Sequence, residues 1–232
     1  MKRFYKEVDI QPALGGWQVT LDGRAIRTQK GAGQIVPTEA LARALAAEWD
    51  AQGEKIDPAT LPLRDMADYA LDVIAPDPAA VADKVLTYGD TDTLLYRADP
   101  DEPLYVRQQE LWEPITKRFE ERHGIELVRV SGIVHRPQNE ATLAKLRDAL
   151  GKQTPFALAG MEAMTSLAAS LMVALEASEP GADALALWQA ASLEEEWQAE
   201  LWGRDEEAEE RRAKRESDFL RAREFVRLAA SD

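Results

Sequence analysis

The pattern of apolar and polar positions near the start of the chain predicts a small β-sheet. Apolar residues alternate with polar ones over residues 7–10 and again over 17–21, which is the two-residue period of a strand. Asp22 and Gly23 then favour a type I′ hairpin turn, because glycine accepts the positive φ that this turn requires. With a returning strand and another short strand at 34–36, these segments predict a meander or barrel-like sheet.

From Thr38 onward the spacing of apolar residues changes to the period of a helix. Thr38 is a typical N-cap residue, and it precedes a predicted helix within residues 38–52. The apolar face of this helix carries Leu41, Leu45 and Trp49, each four residues after the last. We therefore interpret Trp49 as a structural residue of the core.

The domain boundary is expected in a segment rich in proline, residues 57–78, because helical spacing dominates from there to the end of the chain. The sequence thus predicts an α+β fold. Its first domain, residues 1–70, is β-rich and contains the helix at 38–52. Its second domain, residues 71–232, is larger and α-helical.

Apolar spacing predicts six helices after the boundary, at residues 79–88, 103–123, 138–150, 154–176, 181–202 and 204–230. Residues 157–175 form the most apolar stretch and approach the length of a membrane span. Polar residues and many alanines interrupt this stretch, and no cluster of Lys and Arg flanks it. We therefore expect a central helix surrounded by other helices, and no membrane insertion.

Composition and charge exclude several classes of function. The 232 residues include 28 Lys and Arg against 42 Asp and Glu, a formal net charge of −14, which opposes binding to the phosphates of nucleic acids. The absence of cysteine excludes disulfides, thiolate nucleophiles and cysteine-ligated metals. The first residues lack the apolar core of a signal peptide, so we expect a cytoplasmic protein of bacterial type.

Residues that could perform catalysis are few. His123 precedes a glycine at a predicted helix end, where the helix dipole favours a cation, and His135 has no recognisable partner in the sequence. Asp90 and Asp92 lie within one Asp-Thr-Asp-Thr segment, which lacks the glycine and the distal glutamate of an EF-hand loop. A turn and a helix N-terminus explain this segment better. We assign no catalytic residue, no metal ligand and no cofactor.

Glu194 differs from the two glutamates that follow it. At 100° per residue it falls within the apolar arc of the predicted helix at 181–202, whereas Glu195 and Glu196 project into solvent. A carboxylate inside an apolar stripe needs a partner, a neutral state or a functional site. A structural ion pair and a functional contact with a partner remain open for Glu194.

The tryptophans of this same predicted helix point in two directions. Trp197 lies on the apolar side, whereas Trp188 and Trp202 project from another side. Large aromatic side chains on two faces indicate either that both faces are buried or that one face meets a partner.

Several motifs, in order along nearly the whole chain, resemble the F-type ATP synthase assembly chaperones that attend the alpha subunit. They are Lys2-Arg3-Phe4-Tyr5, Gly15-Gly16-Trp17, Pro37-Thr38-Glu39-Ala40-Leu41-Ala42, Ala47-Glu48-Trp49-Asp50-Ala51-Gln52, Asp90-Thr91-Asp92-Thr93 and Leu193-Glu194-Glu195-Glu196-Trp197-Gln198. The resemblance implies a β-rich domain followed by a larger helical one. It also implies a location in the cytoplasm of bacteria or in the mitochondrial matrix of eukaryotes.

The function that the resemblance implies is not enzymatic. Such a chaperone binds the newly made alpha subunit, covers its beta-facing surface and releases it during assembly of the alpha–beta hexamer, without nucleotide. The first glutamate of the family's Leu-Glu-Glu-Glu motif is associated with activity and matches Glu194. The rival hypotheses are a metal- or small-molecule-binding protein or enzyme that uses Asp90, Asp92 and Glu194, and a generic scaffold for unfolded proteins.

Overall fold

The computed structural model describes residues 1–132 and 134–230. The chain divides into two compact units. The first comprises Met1–Pro78, Gln153–Gly160 and the end of the chain from Glu224, and the second comprises Ala79–Lys152 and Met161–Arg223. Strands near the N-terminus are followed by a chain that is mostly helical, which confirms the predicted α+β class. The boundary between residues 70 and 71 stays a prediction.

The first unit contains an antiparallel sheet of four strands. These are β1 (Val8–Ala13), β2 (Gly16–Leu21), β3 (Arg24–Ala25) and β4 (Ile35–Val36). Strand β2 pairs with each of the other three, so it forms the centre of the sheet and buries its last three residues. The strands predicted near 7–10, 17–21 and 34–36 are confirmed, whereas the returning strand predicted at 25–28 is only Arg24–Ala25.

The turn between β2 and β3 is built from Asp22 and Gly23, as predicted. Both residues have positive φ, 47° and 76°, which a type I′ turn requires. The Asp22 carboxylate also accepts hydrogen bonds from the backbone N–H groups of Lys6 (3.0 Å) and Glu7 (2.9 Å). These bonds lower the pKa of Asp22 and tie the turn to the segment that precedes β1.

Helix α1 (Glu39–Asp50) covers the sheet and begins as the sequence predicts. The Thr38 hydroxyl caps it by accepting a hydrogen bond from the N–H of Leu41. Leu41, Leu45 and Trp49 are buried on one face, so the predicted apolar face is confirmed. Helix α2 (Pro62–Tyr69) follows and continues as a π-helical segment, Ala70–Ile74.

The remaining elements are mainly helical. They are α3 (Pro78–Leu86), β5 (Tyr96–Arg97), α4 (Pro103–His123), β6 (Val130–Ser131), α5 (Glu140–Gly151), α6 (Pro155–Ala168), α7 (Leu171–Ser178), α8 (Ala184–Ala191), α9 (Leu193–Trp202) and α10 (Glu206–Ala229). Strands β5 and β6 pair in parallel. Among the described residues, none of the helices has both the length and the apolar character needed to cross a membrane.

The predicted continuous helix at 154–176 is wrong, because the chain breaks between α6 and α7. Ala169 has a φ of 47°, which ends α6, and Ser170 caps α7 by accepting a hydrogen bond from the N–H of Val173. Asp92 accepts hydrogen bonds from the Ser170 hydroxyl (2.7 Å) and from the N–H of Met172 (2.9 Å). A residue distant in sequence thus satisfies the donors exposed by the break.

The predicted helix at 181–202 is also divided, at Ser192 between α8 and α9. The exposure of the tryptophans shows which of them are covered by the rest of the protein and which face solvent. Trp188 is 1% exposed, whereas Trp202 is 86% exposed, and Trp197 is half-buried. Leu201, which the spacing of 100° per residue places in the same apolar arc as Trp197, is 60% exposed, so this arc is not buried to its end.

Candidate functional site

Glu194 lies in the first turn of α9 and is half-buried. Its Oε1 accepts a hydrogen bond of 2.8 Å from Nε2 of Gln108 on α4. Gln108 is fully buried, and its own Oε1 accepts a hydrogen bond of 2.8 Å from the N–H of Ala98. Both the oxygen and the nitrogen of the Gln108 amide are therefore hydrogen-bonded, which fixes the position of the Glu194 carboxylate.

The electrostatic environment of Glu194 disfavours its charge. Burial raises the pKa of Glu194, and the hydrogen bond from Gln108 offsets only part of that effect. Within the two described ranges, no arginine, lysine or histidine forms an ion pair with this carboxylate. The structural ion pair considered from the sequence therefore finds no partner among the described residues, and the role of Glu194 as a functional contact stays a prediction.

The two following glutamates are paired differently. Glu195 is exposed and lies 2.6 Å from Nη1 of Arg215, whereas Glu196 contacts Arg204 and lies 2.7 Å from Nη1 of Arg212. These ion pairs join α9 to α10 on the surface, where each contributes little because water and salt screen it. Burial separates Glu194 from Glu195, which is exposed, but not from Glu196, which is half-buried like Glu194.

Helix α4 supports α8 and α9 through two further side chains. The buried Trp112 donates a hydrogen bond of 2.7 Å from Nε1 to the carbonyl of Ala190, at the end of α8. Arg107 pairs with Glu200 at 2.6 Å, and its guanidinium lies 5.2 Å from the centre of the Trp197 ring. Sequence reasoning missed Gln108 as the partner of Glu194 and Arg107 as a contact of α9. The sequence feature that could have identified Gln108 is its four-residue spacing from Trp112, which places both side chains on one face of α4.

The C-terminal end of α9 presents apolar side chains to solvent. Leu201 and Trp202 are 60% and 86% exposed. Trp202 follows Glu194 by about 12 Å along the helix axis, at 1.5 Å per residue. An exposed tryptophan is costly in water and is common where a partner protein binds. One helix therefore carries both a poorly compensated carboxylate and an uncovered apolar end.

Asp90 and Asp92, the other candidate acids, serve separate local structures. Asp92 is fully buried and caps a short 3₁₀ turn by accepting from the N–H of Leu94, as the preferred interpretation of the motif predicts. Asp90 accepts from the N–H of Gln138 at 2.7 Å. In the part of the chain that the structure describes, no group of three or more histidine or carboxylate side chains could hold a metal ion.

The pH dependence of stability should report the burial of Asp92. Burial raises the pKa of Asp92 from 3.8 to about 6, although Met172, Ser170 and Leu94 donate hydrogen bonds to the charged form. Protonation therefore favours the folded state, and this contribution is complete below pH 3.8 and is lost as the pH rises through 6. The difference amounts to about 3 kcal/mol at 1.36 kcal/mol per pH unit.

This dependence can be measured against Asp92→Asn, whose side chain does not titrate. Urea unfolding at several pH values should show wild-type protein gaining stability relative to the variant by about 2 kcal/mol between pH 7 and pH 4, where the unfolded carboxyl is itself partly protonated. The opposite slope would mean that the hydrogen bonds to the carboxylate outweigh its burial.

The two histidines take part in local structure. His123 ends α4 before Gly124, which has a φ of 60°, as predicted. Burial lowers the pKa of His123, so the cation of the last turn is the neighbouring Arg122. For His135, whose partner was not recognisable in the sequence, the structure supplies two contacts. Its Nδ1 lies 2.6 Å from the hydroxyl of Tyr96, and its Nε2 lies 3.3 Å from Oδ2 of Asp90.

Trp49 lies in the first unit, on the buried face of α1, and is 8% exposed. Its ring meets that of Tyr5 edge to face at 5.9 Å, and the Tyr5 hydroxyl donates a 2.6 Å hydrogen bond to the Trp49 carbonyl. The guanidinium of Arg64 lies 5.9 Å from the Trp49 ring centre. These contacts are those of a packing residue, and the structural role of Trp49 stays a prediction.

Comparison with known proteins identifies relatives along the whole chain. Residues 2–120 match the family model described as ATP12 chaperone protein. The mitochondrial ATP12 protein of Schizosaccharomyces pombe is 26% identical over 221 residues, which cover 90% of this chain and 76% of the relative.

Two solved bacterial structures are similar in both sequence and fold. The crystal structure of the ATP12 protein from Paracoccus denitrificans is 38% identical, with a TM-score of 0.93 over 99% of this chain and 98% of the other. A protein from Agrobacterium tumefaciens is also 38% identical, with a TM-score of 0.92 over 98% of this chain and 85% of the other. The similarity therefore includes both compact units.

Proposed function

This chain belongs to the ATP12 chaperone family and is thus an ATP synthase assembly chaperone, and we propose that its client is the unassembled alpha subunit. In this proposal it covers the surface that alpha later presents to beta subunits. The cover prevents aggregation of free alpha until the alpha–beta hexamer forms. We also infer that it acts without catalysis, and in the bacterial cytoplasm, since both solved relatives reported above are bacterial.

The observation that carries this proposal is the surface of α9. Trp202 is 86% exposed and Leu201 is 60% exposed, so both side chains are available to cover apolar surface on a client. Glu194, on the same helix, retains a carboxylate that burial destabilises. The Glu194 carboxylate lowers the stability of the free chaperone. Its presence is explained if the client supplies the hydrogen-bond donor or cation that the carboxylate lacks.

Release from such a surface requires only competition. Free alpha exposes apolar surface that promotes self-association, and a carrier with a net charge of −14 keeps the complex dispersed. The beta subunit then displaces the chaperone if it forms the larger or better-fitting interface with the same surface of alpha. We therefore expect no nucleotide requirement for binding or release.

A reconstitution with purified subunits tests the proposal. The chaperone should co-elute with alpha in gel filtration, suppress its aggregation in light scattering, and leave the complex when beta is added without nucleotide. An unrelated aggregating protein provides the control for a generic scaffold. The proposal fails if the chaperone neither forms a complex with alpha nor suppresses its aggregation, or if it protects the unrelated protein equally well.

A further inference from the structure

A cavity of about 490 Å³ in the first unit has a lining of unusual charge. Arg24, Arg27 and Arg64 line it, and Asp22 is its only acidic lining residue. Three positive charges and one negative charge give this lining a net charge of +2, in a chain whose net charge is −14. Because Arg64 is paired with carboxylates outside the lining, Arg24 and Arg27 are the groups that favour an anion here, against the sign of the whole molecule.

The guanidinium groups differ in how far they are already engaged. Arg24 is exposed on β3, and no described residue forms a hydrogen bond or an ion pair with its side chain. Arg27 is exposed and donates one hydrogen bond of 2.8 Å, from Nη1 to the carbonyl of Gly31. Arg64 is paired with two carboxylates of its own helix. Arg24 and Arg27 therefore keep N–H donors for a ligand, whereas the charge of Arg64 is compensated by its own two carboxylates.

The acid at the rim does not neutralise them. Oδ1 of Asp22 already accepts two backbone N–H groups, and its pKa is lowered mainly by those bonds, with a smaller contribution from the charge of Arg24. A carboxylate engaged in this way serves the hairpin turn, so the two exposed arginines face the cavity without an ion-pair partner among the residues that the structure describes.

The remaining walls are apolar. Phe4 is 63% exposed, whereas Ile26 and Trp49 are buried. The Nε1–H of Trp49 is enclosed and has no hydrogen-bond acceptor among the described residues. This N–H has almost no exposed surface, so it is not among the donors that the cavity offers to a ligand. The cavity thus combines anion-binding donors with an exposed aromatic wall.

We propose that this cavity binds an acidic segment of a protein, in which a glutamate or aspartate lies beside an aromatic residue. The carboxylate contacts Arg24 and Arg27, which favour bidentate geometry, and the aromatic side chain packs against Phe4. A protein ligand is favoured over a small anion because a free phosphate or acetate leaves the apolar wall uncovered. The proposal rests on the proposed function only in taking the ligand to be a client protein.

A short peptide tests the cavity without the alpha subunit, so failure here and failure of the proposed function are distinguishable. The probe is Ac-Glu-Phe-Glu-amide, added to the full chain labelled with ¹⁵N, and its control is Ac-Gln-Phe-Gln-amide. We expect saturable shifts of the Trp49 indole N–H and the Arg24 Nε–H resonances. The control peptide should bind about tenfold more weakly or worse, because it lacks the charge-assisted hydrogen bonds.

Matched variants locate the site. Arg24→Glu should weaken binding of the glutamate peptide about tenfold or more. Lys55→Glu should leave this binding unchanged, since Lys55 is exposed in the same unit and lies outside the cavity lining. Thermal unfolding of both variants verifies that they fold. Equal binding of the two peptides, equal effects of the two variants, or binding of inorganic phosphate as tight as that of the glutamate peptide would overturn the proposal.

Discussion

Replacing Trp49 with alanine is expected to lower the free energy of unfolding by about 3–5 kcal/mol, the usual cost of removing a large buried aromatic side chain. Trp49 is 8% exposed and packs against Tyr5, so truncation leaves a cavity between α1 and the N-terminal segment. The change also removes the ring over which Arg64 lies. Urea unfolding followed by circular dichroism measures the loss.

Two control variants separate packing from other effects. Trp49→Phe keeps an aromatic ring and removes the N–H that has no acceptor, so it should cost much less than alanine. Trp202→Ala removes a side chain that is 86% exposed and should change the free energy of unfolding by less than about 0.5 kcal/mol. A Trp49→Ala protein as stable as Trp202→Ala would contradict the structural role of Trp49.

Glu194→Gln is expected to weaken binding of the alpha subunit about tenfold or more, the usual consequence of losing a charge-assisted contact, without destabilising the chaperone. Glutamine can still accept the hydrogen bond that Gln108 donates to Oε1. The pKa of Glu194 is raised by burial, so its contribution to stability is present below its ordinary pKa and is lost as the pH rises through the raised value. The neutral variant should therefore be at least as stable at pH 7.

The matched control is Glu195→Gln, which makes the same change of charge one residue later. Glu195 is exposed and paired with Arg215, so its loss should alter stability and alpha binding only slightly. Binding is measured by titrating labelled alpha subunit, and stability by urea unfolding. If Glu194→Gln unfolds more easily while binding alpha normally, the carboxylate is structural and the functional interpretation is wrong.

The N-terminal region was predictable because its signals are local. A type I′ turn needs positive φ at Asp22 and Gly23, and the cap at Thr38 connects residues only three positions apart. The start and end of α4 were likewise predicted, since Gly124 supplies the left-handed conformation that ends it. Interactions between neighbours in sequence are visible in the residue pattern itself.

The helix breaks were not predictable in the same way. Residues 157–175 have continuous apolar character, yet the chain ends α6 at Ala168 and begins α7 at Leu171. The compensating acceptor is Asp92, which lies 78 residues before its partner Ser170. Propensity predicts a continuous helix at such a site, and the cost of interrupting it is offset only by hydrogen bonds that form after the chain folds.

For the candidate site, the sequence by itself determined that Glu194 occupies a different helical phase from Glu195, because that phase depends only on the residue count along a helix. Only the tertiary structure decided that Gln108, 86 residues away, is the polar partner of Glu194. It also decided that Trp188 is buried while Trp202 is exposed, and that Arg24, Arg27 and Trp49 line one cavity. Burial and long-range hydrogen bonds depend on which elements pack together, and no residue pattern within one element contains that information.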